Sequence, residues 1–299
     1  MENFAITISF LLIGIILRRL PRFGDETGNV LNLFVIHVSL PALVLLKIPE
    51  LGFTRALMIP VITPWLMLAV SAGLILGLAT LFKWPRPITG CLLLMIPLGN
   101  TSFLGIPMVK AFFGEGAVSY AVIYDQLGSF LALATYGSVI LALYGTQASR
   151  PKPQEIIKKI ITFPPFIALI LAFLLRPLQY PVTVVAILKP LSATLVPVVM
   201  IAVGFQLTLR LHREESGPLA VGLAIKLLIA PLIALVLYKS IGITGEATRV
   251  AIFEAAMPPM VSAGALAILA DLSPPLTAAL VGLGIILSFA TLPLIFQLL

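Results

Sequence analysis

Apolar runs of about 20 residues, the length that crosses a bilayer as a helix, recur along nearly the whole of this chain. Ten are read, at about 3–19, 28–48, 56–82, 88–112, 116–144, 157–175, 181–207, 217–240, 246–270 and 274–298. The runs at 56–82 and 116–144 exceed what a bilayer needs and call for tilt or kinks. No polar stretch between them is long enough for a soluble domain. Of 299 residues, 60% are hydrophobic and 10% are charged, against about 25% charged in a soluble domain. Such a chain cannot coat a water-soluble body, so the expectation is an integral membrane protein with the lipid bilayer as its solvent.

The net charge of +7 comes from 19 basic residues scattered between apolar runs, with no concentrated basic face, so no nucleic-acid partner is expected. The single cysteine, Cys91, excludes an internal disulfide and a multi-cysteine metal site. With two histidines no metal site is expected. G-x-S-x-G, H-E-x-x-H and phosphate-loop patterns are absent, so the chain reads as no enzyme and needs no cofactor beyond a coupling ion, H+ or Na+. Gly114-Glu115-Gly116 reads as a tight turn. Gly73, Gly77, Gly282 and Gly284 read as close helix packing.

Basic residues set the expected topology. The start, Met-Glu-Asn, lacks the positive region of a signal peptide, and Arg18, Arg19 and Arg22 follow the first apolar run. With both termini on the outer side, inner loops hold Arg18, Arg19, Arg22, Lys83, Arg86, Arg150, Lys152, Lys158, Lys159, Arg210 and Arg213. Outer loops hold only Lys47, Arg55, Lys110, Arg176, Lys239 and Arg249. The longest hydrophilic connection, "GTQASRPKPQE", divides the chain into a five-helix unit at 1–144, a cytoplasmic linker at 145–156 and a second five-helix unit at 157–299. Five is odd, so a second unit resembling the first enters the membrane upside down.

The fourth span of each half is interrupted. "MIPLGNTSFLGIPM" aligns with "AMPPMVSAGALAIL", setting Pro97 against Pro258, Thr101 against Ser262, and a Gly after each, Gly105 and Gly264. Interrupted segments at matching positions of two halves point to a secondary transporter's binding site. Proline removes a donor and breaks the helix. In hydrocarbon the freed groups persist only in protein or against a watery cavity. The substrate-binding candidates are therefore Pro97, Gly99, Asn100, Thr101, Ser102, Pro258, Pro259, Ser262 and Gly264. The alternative is a pair of ordinary proline kinks.

"GNTSFLGIPMVKAFFGEGAVSYAVIYDQLGS" resembles the fourth and fifth helices of the auxin efflux carrier family, and "FEAAMPPMVSAGALA" resembles the ninth helix of its bacterial members. The resemblance covers essentially the whole chain. It implies an all-α membrane protein of ten helices in two inverted five-helix repeats, with broken helices 4 and 9 crossing as in the sodium/bile acid symporter-like fold. It implies a small organic anion as substrate, auxin-like or a small carboxylate. It further implies elevator-type alternating access, with spans 3–5 and 8–10 moving against a scaffold of spans 1, 2, 6 and 7. The expectation is thus a permease of a bacterial inner membrane, with a homodimer through the scaffold helices. By motif, Asn100 matches the crossover asparagine. The linker is short, so regulation through a long loop does not carry over.

Charges at mid-bilayer cost about 2.5–3.5 kcal/mol on insertion scales. The intramembrane ionisable candidates are Asp125, Lys226, Glu254 and His37, none of them expected to face lipid. Asp125 reads as a proton or sodium carrier, as a partner that orients the crossover, or as a structural carboxylate paired with a nearby cation such as Lys226. Lys226 reads as an attractor of the anion or as a neutraliser of Asp125 or Glu254. His37 suits a proton relay or a hydrogen-bonded structural role. Tyr124, Gln126 and Gln206 are candidate polar lining. A solute-binding membrane sensor, a channel, and a proton- or sodium-coupled symporter of the bile-acid type are the competing readings.

Overall fold

Hydrocarbon offers no water to a backbone amide, so a membrane chain must satisfy its own hydrogen bonds. This chain does so with helices. The structure, a computed structural model, describes residues 2–52, 54–146, 152–178, 180–207 and 215–299. Arg150, Arg210 and Arg213, counted above as inner-loop charges, lie outside the described residues, as does part of the linker. Among the described residues the helices are α1 Glu2–Leu17, α2 Thr27–Lys47, α3 Arg55–Phe82, α4 Arg86–Met95, α5 Thr101–Phe113, α6 Glu115–Tyr144, α7 Pro153–Ile161, α8 Pro164–Leu175, α9 Val182–Gln206, α10 Ser216–Ser240, α11 Glu246–Ala255, α12 Val261–Leu269 and α13 Pro274–Leu298, several with 3-10 or π turns. No strand forms among them.

Six of these, α2, α3, α6, α9, α10 and α13, are long and apolar enough to cross a membrane alone. The pair α7 and α8, bent by 64°, adds a seventh if counted as one span. Helices α1, α4 and α5 are apolar but shorter. The chain is therefore an integral, multi-pass helical protein.

Three π turns have a common cause. Val35–Ser39, Thr101–Gly105 and Ile225–Ile229 end two residues before Pro41, Pro107 and Pro231. Each proline lacks the donor for the carbonyl four residues back and crowds it. A widened turn relieves both problems, and π turns gather at functional sites. Two more, Asp125–Ser129 and Leu133–Gly137, lie in α6 without a proline.

Packing divides the chain into two compact units. Unit 1 is Met1–Thr54, Ser102–Val122 and Ile157–Leu207; unit 2 is Arg55–Thr101, Ile123–Ile156 and Thr208–Leu299. Unit 1 gathers the segments read as spans 1, 2, 6 and 7, and takes in 102–122 from spans 4 and 5. The units interleave along the chain, whereas the repeats of the sequence reading are consecutive. A repeat is a relation of topology, and a unit is a relation of packing.

In unit 1, α1 and α9 cross with their backbones touching. A Cβ on Gly14 would sit 2.1 Å from Ile201 O, and one on Gly204 would sit 2.1 Å from Leu11 O. Small residues permit this approach where lipid supplies no hydrophobic drive. In unit 2 the core is a continuous apolar cluster, including Leu92, Met95, Ile96, Leu98, Leu223, Met260 and Leu280, that wraps both helix breaks. Gly284 is a packing glycine, since its Cβ would lie 2.7 Å from Pro259 Cδ. Gly73 and Gly77 are not: a Cβ at either meets open space, because both look away from the fold. Gly114, at φ +87°, makes the turn from α5 into α6.

Overpacking typically costs about 1–3 kcal/mol. Gly204→Val must displace backbone, so it is expected to lower the thermal midpoint by several degrees in a thermal-shift assay. Gly73→Val is expected to leave it unchanged.

Candidate functional site

Helix α4 ends at Met95 because Pro97 follows, and α11 ends at Ala255 because Pro258 and Pro259 follow. Each break leaves polar backbone deep inside unit 2. The two breaks satisfy each other. Asn100 N donates to Pro258 O at 2.8 Å, and Met260 N donates to Leu98 O at 3.0 Å. Gly99 and Pro259 thereby form an isolated antiparallel bridge.

The arms are unequal. In 256–260 every donor is used: Ala256 N bonds Phe253 O, Met257 N bonds Glu254 O, Met260 N crosses to Leu98, and the two prolines have no N–H. In the other arm, among the described residues, no backbone carbonyl accepts from the amides of Leu98 or Gly99.

Buried polar side chains surround the bridge. Asp125, 1% exposed, stands on the π turn of α6. Thr101 Oγ1 donates to its Oδ1 at 2.6 Å, and Gln126 Nε2 donates to its Oδ2 at 2.7 Å. Gly128 lets α6 seat against α3, since its Cβ would lie 2.1 Å from Pro64 Cγ. Lys226, 4% exposed, stands on the π turn of α10. Its Nζ lies 3.1 Å from where a Cβ on Gly99 would be, so the glycine lets the ammonium reach the backbone of the break. Glu254 is fully buried at the end of α11. It lies within electrostatic reach of Asp125 and Lys226, yet neither oxygen has a hydrogen-bond partner. Asn100 Nδ2 and Gln126 Oε1 are likewise buried and unpartnered. Buried polar atoms are nearly always bonded, so four without a partner around one bridge mark this as the candidate site.

Pro64, Leu68, Pro97, Leu98, Gly99, Thr101, Tyr124, Ser129, Ala132, Lys226 and Glu254 line a cavity there. Its free volume is about 10 Å³, room for roughly one water.

Of the residues singled out in the sequence, unit 2 brings together Pro97, Gly99, Asn100, Thr101, Tyr124, Asp125, Gln126, Lys226, Glu254, Pro258 and Pro259. Ser262 is half-buried in α12, away from the cavity lining. Gly264 packs against α13, its Cβ position 2.9 Å from Val281 Cγ2. Ser102, His37 and Gln206 belong to unit 1. His37 is exposed rather than enclosed, and its Nδ1 bonds Leu33 O at 2.9 Å, one turn back. Gln206 closes a polar link between α2 and α9, accepting from Asn32 and donating to Asn29, both at 3.1 Å. Lining by Pro64, Leu68, Leu98, Ser129 and Ala132 escaped the sequence reading. Pro64 lies in a run long enough to call for a kink, and nothing in the sequence marks any of the five as part of a site.

A sequence profile described as membrane transport protein matches residues 1–296, so this site lies in a transporter. An uncharacterized transporter of Methanothermobacter thermautotrophicus is 30% identical over 302 residues, covering 98% of this chain and 96% of the relative. An uncharacterized transporter of Methanocaldococcus jannaschii is 27% identical over 267 residues, covering 86% and 85%. The chain belongs to the auxin efflux carrier family of membrane transport proteins, the family its motifs resemble.

A hydrogen bond to a charged group is worth about 1.5–3 kcal/mol. Thr101→Val, which removes the hydroxyl that donates to Asp125 Oδ1, is expected to lower the thermal midpoint, whereas Thr101→Ser keeps the hydroxyl and is expected to stay close to the unsubstituted protein.

Proposed function

We propose that this protein is a secondary carrier of a small organic anion, with the solute bound where the two broken helices meet. The observation that carries the reading is the backbone bridge of Gly99 and Pro259, with one buried ammonium and unpartnered polar atoms around it. An anion there would accept from the amides of Leu98 and Gly99 and from Asn100 Nδ2, and would meet Lys226 as counter-charge. A restarting half-helix within unit 2, α12, adds the positive end of its dipole.

On this reading, α4 with α5 and α11 with α12 are single spans broken at their centres, and the chain has ten spans in two inverted repeats with both termini outside. Unit 2, which holds both breaks and the whole cavity lining, is the body that carries the solute in elevator-type alternating access. A cavity of one water's size fits a closed state, which must open before an organic anion enters.

Burial favours coupling. Glu254 lies within electrostatic reach of both Asp125 and Lys226 in a fully buried setting. An incoming anion adds a further negative charge to a low-dielectric site, which is costly unless a cation enters with it. A proton or a sodium ion is the natural companion.

Proteoliposomes test the carrier reading by counterflow of labelled mono- and dicarboxylates. Saturable counterflow is expected, lost in Asn100→Ala and Lys226→Gln while folding is kept. Non-saturating flux would mean a channel, and saturable binding without flux a sensor; either result sinks the proposal. Asp125→Asn is expected to change the pH or sodium dependence of uptake. If it lowers only protein yield, Asp125 is structural and the coupling role fails.

A further inference from the structure

We propose that α7, Pro153–Ile161, lies flat in the membrane interface and docks on anionic lipid headgroups. Its sequence is PQEIIKKII. At about 100° per residue, Ile156, Ile157, Ile160 and Ile161 fall within an arc of roughly 140°, while Gln154, Glu155, Lys158 and Lys159 fill the opposite side. The protein leaves most of this apolar face open, with Ile156 and Ile160 half-buried. The helix has no buried residue, and Ile157 and Ile161 are 56% and 57% exposed.

The direction of the helix completes the argument. It bends 64° away from α8, the apolar helix that follows. The cause is local: Pro164 and Pro165 open α8, and Phe163 before them takes an extended conformation, which ends α7. Membrane helices tilt by about 20° on average. A segment turned 64° from such a helix stands roughly 44–84° from the membrane normal, too oblique to continue the span.

Its charges exclude a re-entrant segment, because Glu155, Lys158 and Lys159 would each cost about 2.5–3.5 kcal/mol at bilayer depth. At the interface the same charges are an asset. Apolar residues enter the acyl boundary while lysines stand among the headgroups. Lys152, Lys158 and Lys159, all exposed, outnumber Glu155, so the matching surface is anionic. The inner leaflet, where the distribution of basic residues puts this segment, carries that charge.

The test uses the full chain with Ile157→Cys carrying an environment-sensitive fluorophore; Cys91 is fully buried and stays unlabelled. The protein is placed in nanodiscs of phosphatidylcholine alone, and in discs where roughly a third of the lipid is phosphatidylglycerol. Blue-shifted emission is expected in the anionic discs, reversed by high salt. Lys158→Gln and Lys159→Gln are each expected to lower the docked fraction relative to free by about fivefold, the factor for about 1 kcal/mol per basic residue at an anionic surface. Lys158→Arg with Lys159→Arg is expected to keep the shift. A label exposed to water in both lipids overturns the proposal. So does a label shielded equally in both and indifferent to the lysines, which would assign the face to a second copy of the chain.

Discussion

A helix broken inside a membrane leaves backbone groups that hydrocarbon cannot satisfy, at several kcal/mol each. Everything else at the centre of unit 2 follows from how these groups are met. Two breaks face each other, and each supplies what the other lacks, through the bonds from Asn100 to Pro258 and from Met260 to Leu98. Neither break is viable alone. The apolar cluster around them keeps out competing water, and Gly284 brings α13 close enough to hold Pro259 in place.

The side chains around the bridge obey the same economy of partners. Asp125 is held at both oxygens by Thr101 and Gln126, so its position is fixed. Glu254 has electrostatic neighbours but no hydrogen bond, so its position is set by burial and packing alone. One carboxylate is anchored and the other is available. Lys226 reaches the crossing because Gly99 has no side chain and because a π turn redirects α10 ahead of Pro231.

How much of this was legible in the sequence depends on the kind of signal. Apolar runs announced a membrane protein because lipid imposes a composition, and six long helices answer to them directly. The interruptions at Pro97 and Pro258 were legible because proline acts on its own backbone, whatever the surroundings. Long-range geometry left no such mark. Gly73 and Gly77 read as packing residues like Gly284, but a glycine's neighbours lie on other helices, and among the described residues none comes close to either. Gln206 and His37 are polar in apolar runs, as Asp125 is. Gln206 finds its partners on α2 and His37 finds one a turn back, and no local pattern distinguishes those cases from Asp125. The π turns that aim Asp125 and Lys226 are the subtlest feature: three follow from a proline two residues on, while those of α6 have no such cue.

The paired prolines at 258 and 259 have a consequence for how such a site can diversify. They leave the 256–260 arm with no spare hydrogen to offer, so that arm acts as a clamp whose chemistry is closed. The 97–101 arm keeps open amides and an amide side chain. The two arms therefore differ in what they have left to offer: 256–260 has spent its donors, and 97–101 has not, so on the proposed reading it is the second arm that meets the solute. If the proposed carrier reading holds, a change of preferred solute needs substitution in one short segment only, with the clamp, and the fold that depends on it, left untouched.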